Sequence, residues 1–188
     1  MPAPHQWPRI VGMDFGWDHP TSAVWLAWDR DRDIIYVYDT YRKSKETPAI
    51  HAAAIRARGK WIPVAWPRDG LQHDRQSGKP LARIYELEHD LPMLADSAEF
   101  EGGGYGVEAG VAMILDRMHT GRFKVRADLA DWWEEFRMYH RKDGRIVKQR
   151  DDLMDAMRYA VMELRHAETE QEATRRWEPI AYSSAGIV

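Results

Sequence analysis

The chain contains no cysteine. Disulfides, thiol nucleophiles and cysteine-based zinc sites are therefore excluded together, and the composition suits a reducing compartment. No apolar run reaches the roughly 18–20 residues of a membrane-spanning helix, and the start, MPAPHQWPRI, lacks a signal-peptide core. There is no Walker A loop, because Gly78-Lys79 runs into Pro80 without the GxxxxGK[ST] spacing. The eight histidines, His19, His51, His73, His89, His119 and His140 among them, show no zinc-ligand spacing. An excess of positive charge is also missing: 27 Lys and Arg stand against 30 Asp and Glu, a net charge of −3. That balance does not advertise a nucleic-acid binder, although local distribution matters more than the average for a binding groove.

What is present describes a folded chain. Over 188 residues, 44% are hydrophobic and nine are Trp, enough for one domain with a real core. Ile10–Met13, Ser22–Trp28 and Ile34–Asp39 are apolar, β-branched and aromatic, and predict three sequential antiparallel strands. Thr47-Pro48 opens a predicted helix that Gly59 closes, with Thr47 as its cap. Further strands are expected over Trp61–Trp66, Leu91–Leu94 and Phe123–Val125. Helices are expected over Lys79–Glu88, Val107–Met118, Leu129–Tyr139 and Asp151–Ala167. Asp143-Gly144 marks a hairpin, and the glycine-rich Glu101–Gly106 predicts a loop able to move over a cleft. The expected organisation is an irregular leader over 1–9, one domain over 10–167 and a flexible tail over 168–188. Three antiparallel strands followed by helix–strand alternation predict an α/β fold with a mixed central sheet flanked by helices.

Acidic residues fall at three corresponding places. Asp14 ends the first strand, Asp69 follows the fourth, and Asp151, Asp152 and Asp155 crowd the first turn of the last long helix. Strands one and four of a mixed sheet can be neighbours, which would bring these acids together. Clustered carboxylates repel and call for a cation, and an all-oxygen set suits Mg²⁺ or Mn²⁺ rather than zinc. Two such ions about 4 Å apart meet the demands of phosphodiester hydrolysis. Asp152 and Asp155, three apart, share a helix face where the helix dipole favours negative charge. Asp151 is expected to cap the helix or to sit behind the ligands. The Asp14-Phe15-Gly16 triplet imitates a kinase metal motif, but no catalytic loop or Gly-rich loop precedes it. Phe15 then reads as an incidental neighbour. Cations gather in HRKDGRIVKQR just before the acidic helix; Arg141, Lys142, Arg145, Lys148 and Arg150, with Arg68 beside Asp69, are the candidate DNA-phosphate contacts.

The stretches GMDFGWDHPTSAVWLAWD, IYVYDTYRK, WIPVAWPRDGLQHD, MHTGRFKV and EEFRMYHRKDGRIVKQRDDLMDAMRYA together resemble the C-terminal nuclease domain of the tailed-phage terminase large subunit. The resemblance runs from about Ile10 to about Arg165. It implies a ribonuclease H-like, Mg²⁺- or Mn²⁺-dependent endonuclease that cuts concatemeric phage DNA during packaging. Carried over by motif, it assigns Asp14 and Asp69 as metal ligands, with the last acids among Asp151, Asp152 and Asp155, of which Asp152 and Asp155 are preferred. It also implies double-stranded DNA, the packaging ATPase domain, the small terminase subunit and the portal as partners, in the cytoplasm of an infected bacterium. The family's large subunit carries a Walker-type motor, so a chain without one is expected to be an excised domain or a product lacking the motor half. Two rivals share the same residues: a junction-resolving or transposase-type nuclease of this fold, and a non-catalytic module that docks on the portal or motor.

Overall fold

The computed structural model describes residues 3–74, 77–100, 106–139, 141–142, 145–146 and 151–177, with the backbone alone at 141–142, 145–146 and 177. Its centre is a five-stranded mixed sheet in the order β4-β1-β2-β3-β5. Strands β1 (Arg9–Asp14), β2 (Thr21–Asp29) and β3 (Ile34–Lys43) form an antiparallel meander. Strand β4 (Val64–Ala65) lies parallel to β1, and β5 (Phe123–Val125) lies parallel to β3 on the other edge.

Helices cover both faces, which is why the strands read as continuous apolar runs rather than alternating ones. Successive residues of a strand point to opposite faces, and the core divides accordingly. Ile10, Val24, Leu26, Ile35 and Val37 pack with α3 (Val107–His119), α4 (Ala130–Met138) and α5 (Asp152–Met162). Val11, Met13, Ala23, Trp25 and Val64 pack with α1 (Pro48–Arg56) and α2 (Leu81–Leu87). Asp14 therefore shares the α5 face with Ile10 and Gly12.

Helix α5 lies unusually close to β1, and Gly12 is the reason. A Cβ at Gly12 would stand 1.8 Å from the Ala156 carbonyl oxygen and 2.8 Å from the Ala160 nitrogen. Both are backbone atoms that no side-chain rotation moves. On the helix side the approach is made by two alanines, Ala156 and Ala160, each fully buried.

Several expected elements come out shorter or different. Of the strand expected over Trp61–Trp66 only Val64 and Ala65 pair, because Pro63 and Pro67 flank them without amide donors. The stretch expected as a strand over Leu91–Leu94 makes one parallel bridge, Val64 to Met93, with Pro92 interrupting the ladder. Thr47 does occupy the α1 cap position, but its side chain makes no capping bond. The last long helix stops at Met162 and tightens into a 3-10 turn over Leu164–His166, short of Ala167.

The expected boundaries at both ends also shift. Arg9 belongs to β1, and Trp7 stacks on Tyr36 at 4.8 Å. Within the segment expected as a tail, α6 (Glu170–Trp177) forms, Ala173 is buried, and Glu168 bridges to Arg9. Its start is a reciprocal cap: Thr169 Oγ1 accepts from the Glu172 amide at 3.2 Å, and Glu172 Oε2 accepts from the Thr169 amide at 2.7 Å. Residues 178–188 lie outside the described residues, as do Glu101–Tyr105 of the glycine-rich segment and Asp143-Gly144 of the hairpin. The hairpin's two strands, β6 (Arg141–Lys142) and β7 (Arg145–Ile146), pair antiparallel as the sequence suggests. Among the described residues no helix is long and apolar enough to cross a membrane.

Candidate metal centre

The parallel pairing of β4 with β1 places the ends of both strands side by side. Asp14 closes β1, and Asp69 follows β4 in a 3-10 turn over Arg68–Leu71. Phe15 is not incidental to this arrangement. A Cβ at Gly70 would stand 2.8 Å from the Phe15 ring, and that ring lies 5.5 Å from Tyr85. Phe15 thus packs the turn bearing Asp69 against the end of the strand bearing Asp14.

On the other side, α5 delivers its N-terminus to the same strand end. The Ser22 hydroxyl donates to the Asp152 carbonyl at 2.7 Å, and Ser22 is the β2 partner of Asp14. Asp151 occupies the helix cap position without a side-chain capping bond, contrary to the capping role expected from sequence. The capping acceptor comes from another helix: Glu135 Oε2 of α4 accepts from the Leu153 amide at 2.8 Å.

Burial and the neighbouring acids push the Asp14 carboxyl up to about 8. Loss of solvation is the larger cause, followed by the charges of Asp155, Asp152, Asp151 and Asp69. All the sequence-predicted acids thus lie within electrostatic reach of Asp14. Burial also raises the Asp152 carboxyl, against the opposing charges of His19 and Arg42. The acids differ in their attachments. Asp155 is buried and its Oδ1 accepts from Arg158 at 2.9 Å, whereas Asp69 is exposed. Among the described residues no three His, Cys, Asp or Glu side chains converge closely enough to hold an ion as they stand. The donor chemistry nonetheless fits a hard divalent cation: the set is all oxygen, and a positive charge would offset the burial and the repulsion that together keep Asp14 protonated near neutrality.

This coupling gives the metal-free protein an inverted pH response. A carboxyl raised from 3.8 to about 8 keeps its proton in the folded state at pH values where the unfolded chain has lost it. Stability from that group is complete below the unfolded value and falls as pH rises toward 8. Glu135, raised to about 7 mainly by burial, acts in the same sense. Buried His51, pushed down by desolvation, opposes them only below about 6.5. Thermal melts in chelator are therefore expected to fall between pH 6.5 and 8, and a constant or rising melting temperature there would contradict the coupling.

The cationic candidates divide. Arg68 is exposed beside Asp69. Arg141, Lys142 and Arg145 lie on the β6–β7 pair that precedes α5, while Lys148 and Arg150 lie outside the described residues. Two neighbours of the acidic turn escaped the sequence reading, Glu135 and Arg42. Glu135 stood in WWEEF as one acid among several, and only the buried face of its helix distinguishes it from Glu134. A groove of about 970 Å³ between Trp61, Leu91–Ser97 and α6 is lined by none of the five aspartates, so it is separate from this centre.

The fold and the sequence both have known relatives. The nuclease domain of the P22 large terminase superposes with a TM-score of 0.84 at 39% identity, covering 92% of this chain and 89% of that one. The nuclease domain of the bacteriophage SPP1 large terminase, with bound Mn, shares the fold at a TM-score of 0.57 and 17% identity, over 83% of this chain and 86% of that one. The fold is therefore the ribonuclease H-like fold of terminase nucleases. Residues 11–164 match the model of the terminase RNaseH-like domain family, and the chain belongs to that family. The large terminase subunit of Salmonella phage P22 is 42% identical over 159 residues, 84% of this chain and 32% of that protein. The chain thus spans about a third of the length of that curated relative.

Proposed function

We propose that this chain is the nuclease of a viral terminase large subunit, a metal-dependent endonuclease that cuts concatemeric double-stranded phage DNA during genome packaging. The observation that carries the reading is Asp14, a carboxyl at a strand end pushed to about 8 by burial and by the acids that flank it. Structural ion-pair networks also shift carboxyls, but usually downward through a cation partner; a rise caused first by burial and then increased by neighbouring acids fits a site that takes an external positive charge.

In this reading Asp14, Asp69 and Asp152 hold Mg²⁺ or Mn²⁺, two ions during catalysis, and Asp155 offers Oδ2 while Arg158 holds Oδ1. Asp151 lies behind them. Bound there, the ions would supply Lewis acidity toward the phosphate and activate a water for attack. The chain's own residues do the rest. Asp14 gives up its proton on loading, so affinity rises with pH toward 8. Arg68, Arg141, Lys142, Arg145, Lys148 and Arg150 hold backbone phosphates, which makes binding salt-sensitive and indifferent to sequence. The manganese of the SPP1 domain supports a divalent ion at this fold. The ATPase domain, the small subunit and the portal are proposed partners, and the cytoplasm of the infected bacterium is the proposed place of action.

Incubation with supercoiled plasmid and Mn²⁺ tests the proposal. Nicked and linear products that vanish with chelator are expected, and linear duplex is expected to be cut at least as well as branched or single-stranded DNA. Preference for branched substrate would favour a junction-resolving or transposase-type nuclease. Intact DNA under all metal conditions, with binding to portal or motor retained, would favour a docking module.

A further inference from the structure

Three residues stand in register across the sheet on the face that α5 covers: Asp14 of β1, its partner Ser22 of β2, and Ser22's partner Arg42 of β3. Each is tied to the acidic helix or its surroundings. Asp14 is acted on by Asp152 and Asp155, Ser22 donates to the Asp152 carbonyl at 2.7 Å, and Arg42 donates to Glu135 Oε1 at 2.6 Å. Glu135 completes the row by accepting, through Oε2, from the Leu153 amide at 2.8 Å.

Glu135 is an expensive residue to keep where it is. It is 1% exposed, and burial pushes its carboxyl up to about 7 despite Arg42 and the Leu153 amide, which both favour its charged form. A buried carboxylate held by one cation and one backbone amide is costly to desolvate and contributes little net stability over an apolar replacement. Its two oxygens are nevertheless divided between two elements, one on the end of β3 and one on the first turn of α5. The amide it takes belongs to Leu153, which directly follows Asp152. Asp151, at the position where a cap would ordinarily be supplied, makes no side-chain capping bond. The cap is supplied from α4, at the amide that directly follows Asp152.

We infer that Glu135, clamped by Arg42, is a positioning residue for the metal centre: it caps α5 from outside and holds the Asp152 turn in register with Asp14. This inference rests on the metal-centre reading above. Ser22 fixes the Asp152 carbonyl and Glu135 fixes the following amide, so the peptide unit that carries Asp152 is held at both of its polar groups. Removing a partner that orients a metal ligand typically costs about 10–100-fold in metal affinity.

The test uses the intact chain and two readouts that do not depend on cleavage. Amide exchange at Leu153 is measured by NMR in chelator, and Mn²⁺ binding is measured by calorimetry. Glu135→Ala is expected to speed exchange at Leu153 at least about tenfold and to weaken Mn²⁺ about tenfold or more. Glu135→Gln, which keeps an acceptor for the amide, is expected to restore most of both. If Glu135→Ala fails to fold, Arg42→Met, which frees the carboxylate but leaves it in place, is expected to give intermediate values for the same two readouts. Unchanged Leu153 exchange would overturn the cap, and faster exchange with Mn²⁺ affinity within twofold of the parent would overturn the positioning role. Failure of the parent itself to bind Mn²⁺, with Leu153 protected, would overturn the metal-centre reading and this inference with it.

Discussion

An Asp14→Asn variant is expected to cut plasmid DNA about a thousandfold more slowly than the parent, a loss of roughly 4 kcal/mol of transition-state stabilisation. The same variant is expected to be more stable than the parent without metal. Asparagine removes a carboxyl that burial and four neighbouring acids hold in an unfavourable setting. The gain is expected to grow as pH rises toward 8 and to reach at least about 1 kcal/mol there, each kcal/mol being worth about 2–4 °C in melting temperature for a chain of this size. Opposite movements of activity and stability are the mark of a residue kept for function at a cost to the fold. A structural aspartate would lose stability on the same change. Cleavage within tenfold of the parent would remove Asp14 from the centre, whatever the melting temperature did.

The second large effect concerns the approach of α5 to β1. Gly12→Ala is expected to destabilise the protein by about 3 kcal/mol, at or beyond the upper end for added core atoms. The new methyl would meet the Ala156 carbonyl at 1.8 Å, so strand and helix must separate. That separation also moves the helix end bearing Asp152 away from Asp14, and weaker Mn²⁺ binding is expected to accompany the lost stability. Denaturant unfolding with intrinsic fluorescence reads the first effect, and calorimetry on the folded fraction reads the second. A midpoint shift worth less than about 0.5 kcal/mol would mean that the helix does not rest on this strand as described.

The acids were legible in the sequence because their signals are local. A carboxylate at the end of an apolar run, another in PRDG and three in RDDLMD each carry their own position, and a topology that sets the first strand beside the fourth brings the first two together. The parallel pairing of β4 with β1 is that topology. The first three strands were equally legible, since buried β-branched runs leave little choice. What the sequence hid was set by tertiary context. Glu134 and Glu135 are adjacent and alike, yet one is exposed and the other is buried against Arg42 and the start of α5. Phe15 looked incidental because its partners, Gly70 and Tyr85, lie more than fifty residues along the chain. Asp155 looked equivalent to Asp152 by spacing alone, and the buried Arg158 that separates them in role sits on the same helix only three residues further on. Helix α6 is a different kind of miss. Its capping pair, Thr169 and Glu172, was written in TEQE and was outweighed by the polar composition around it.

Asp14, Asp69 and the first turn of α5 are expected to form one divalent-metal centre. A crystal soaked in Mn²⁺ at about pH 8, read by anomalous scattering, tests it most directly. Manganese is expected between Asp14, Asp69 and Asp152, with Asp155 still held by Arg158. Manganese bound elsewhere, or none at Asp14 in a crystal that takes it up at other sites, would contradict it.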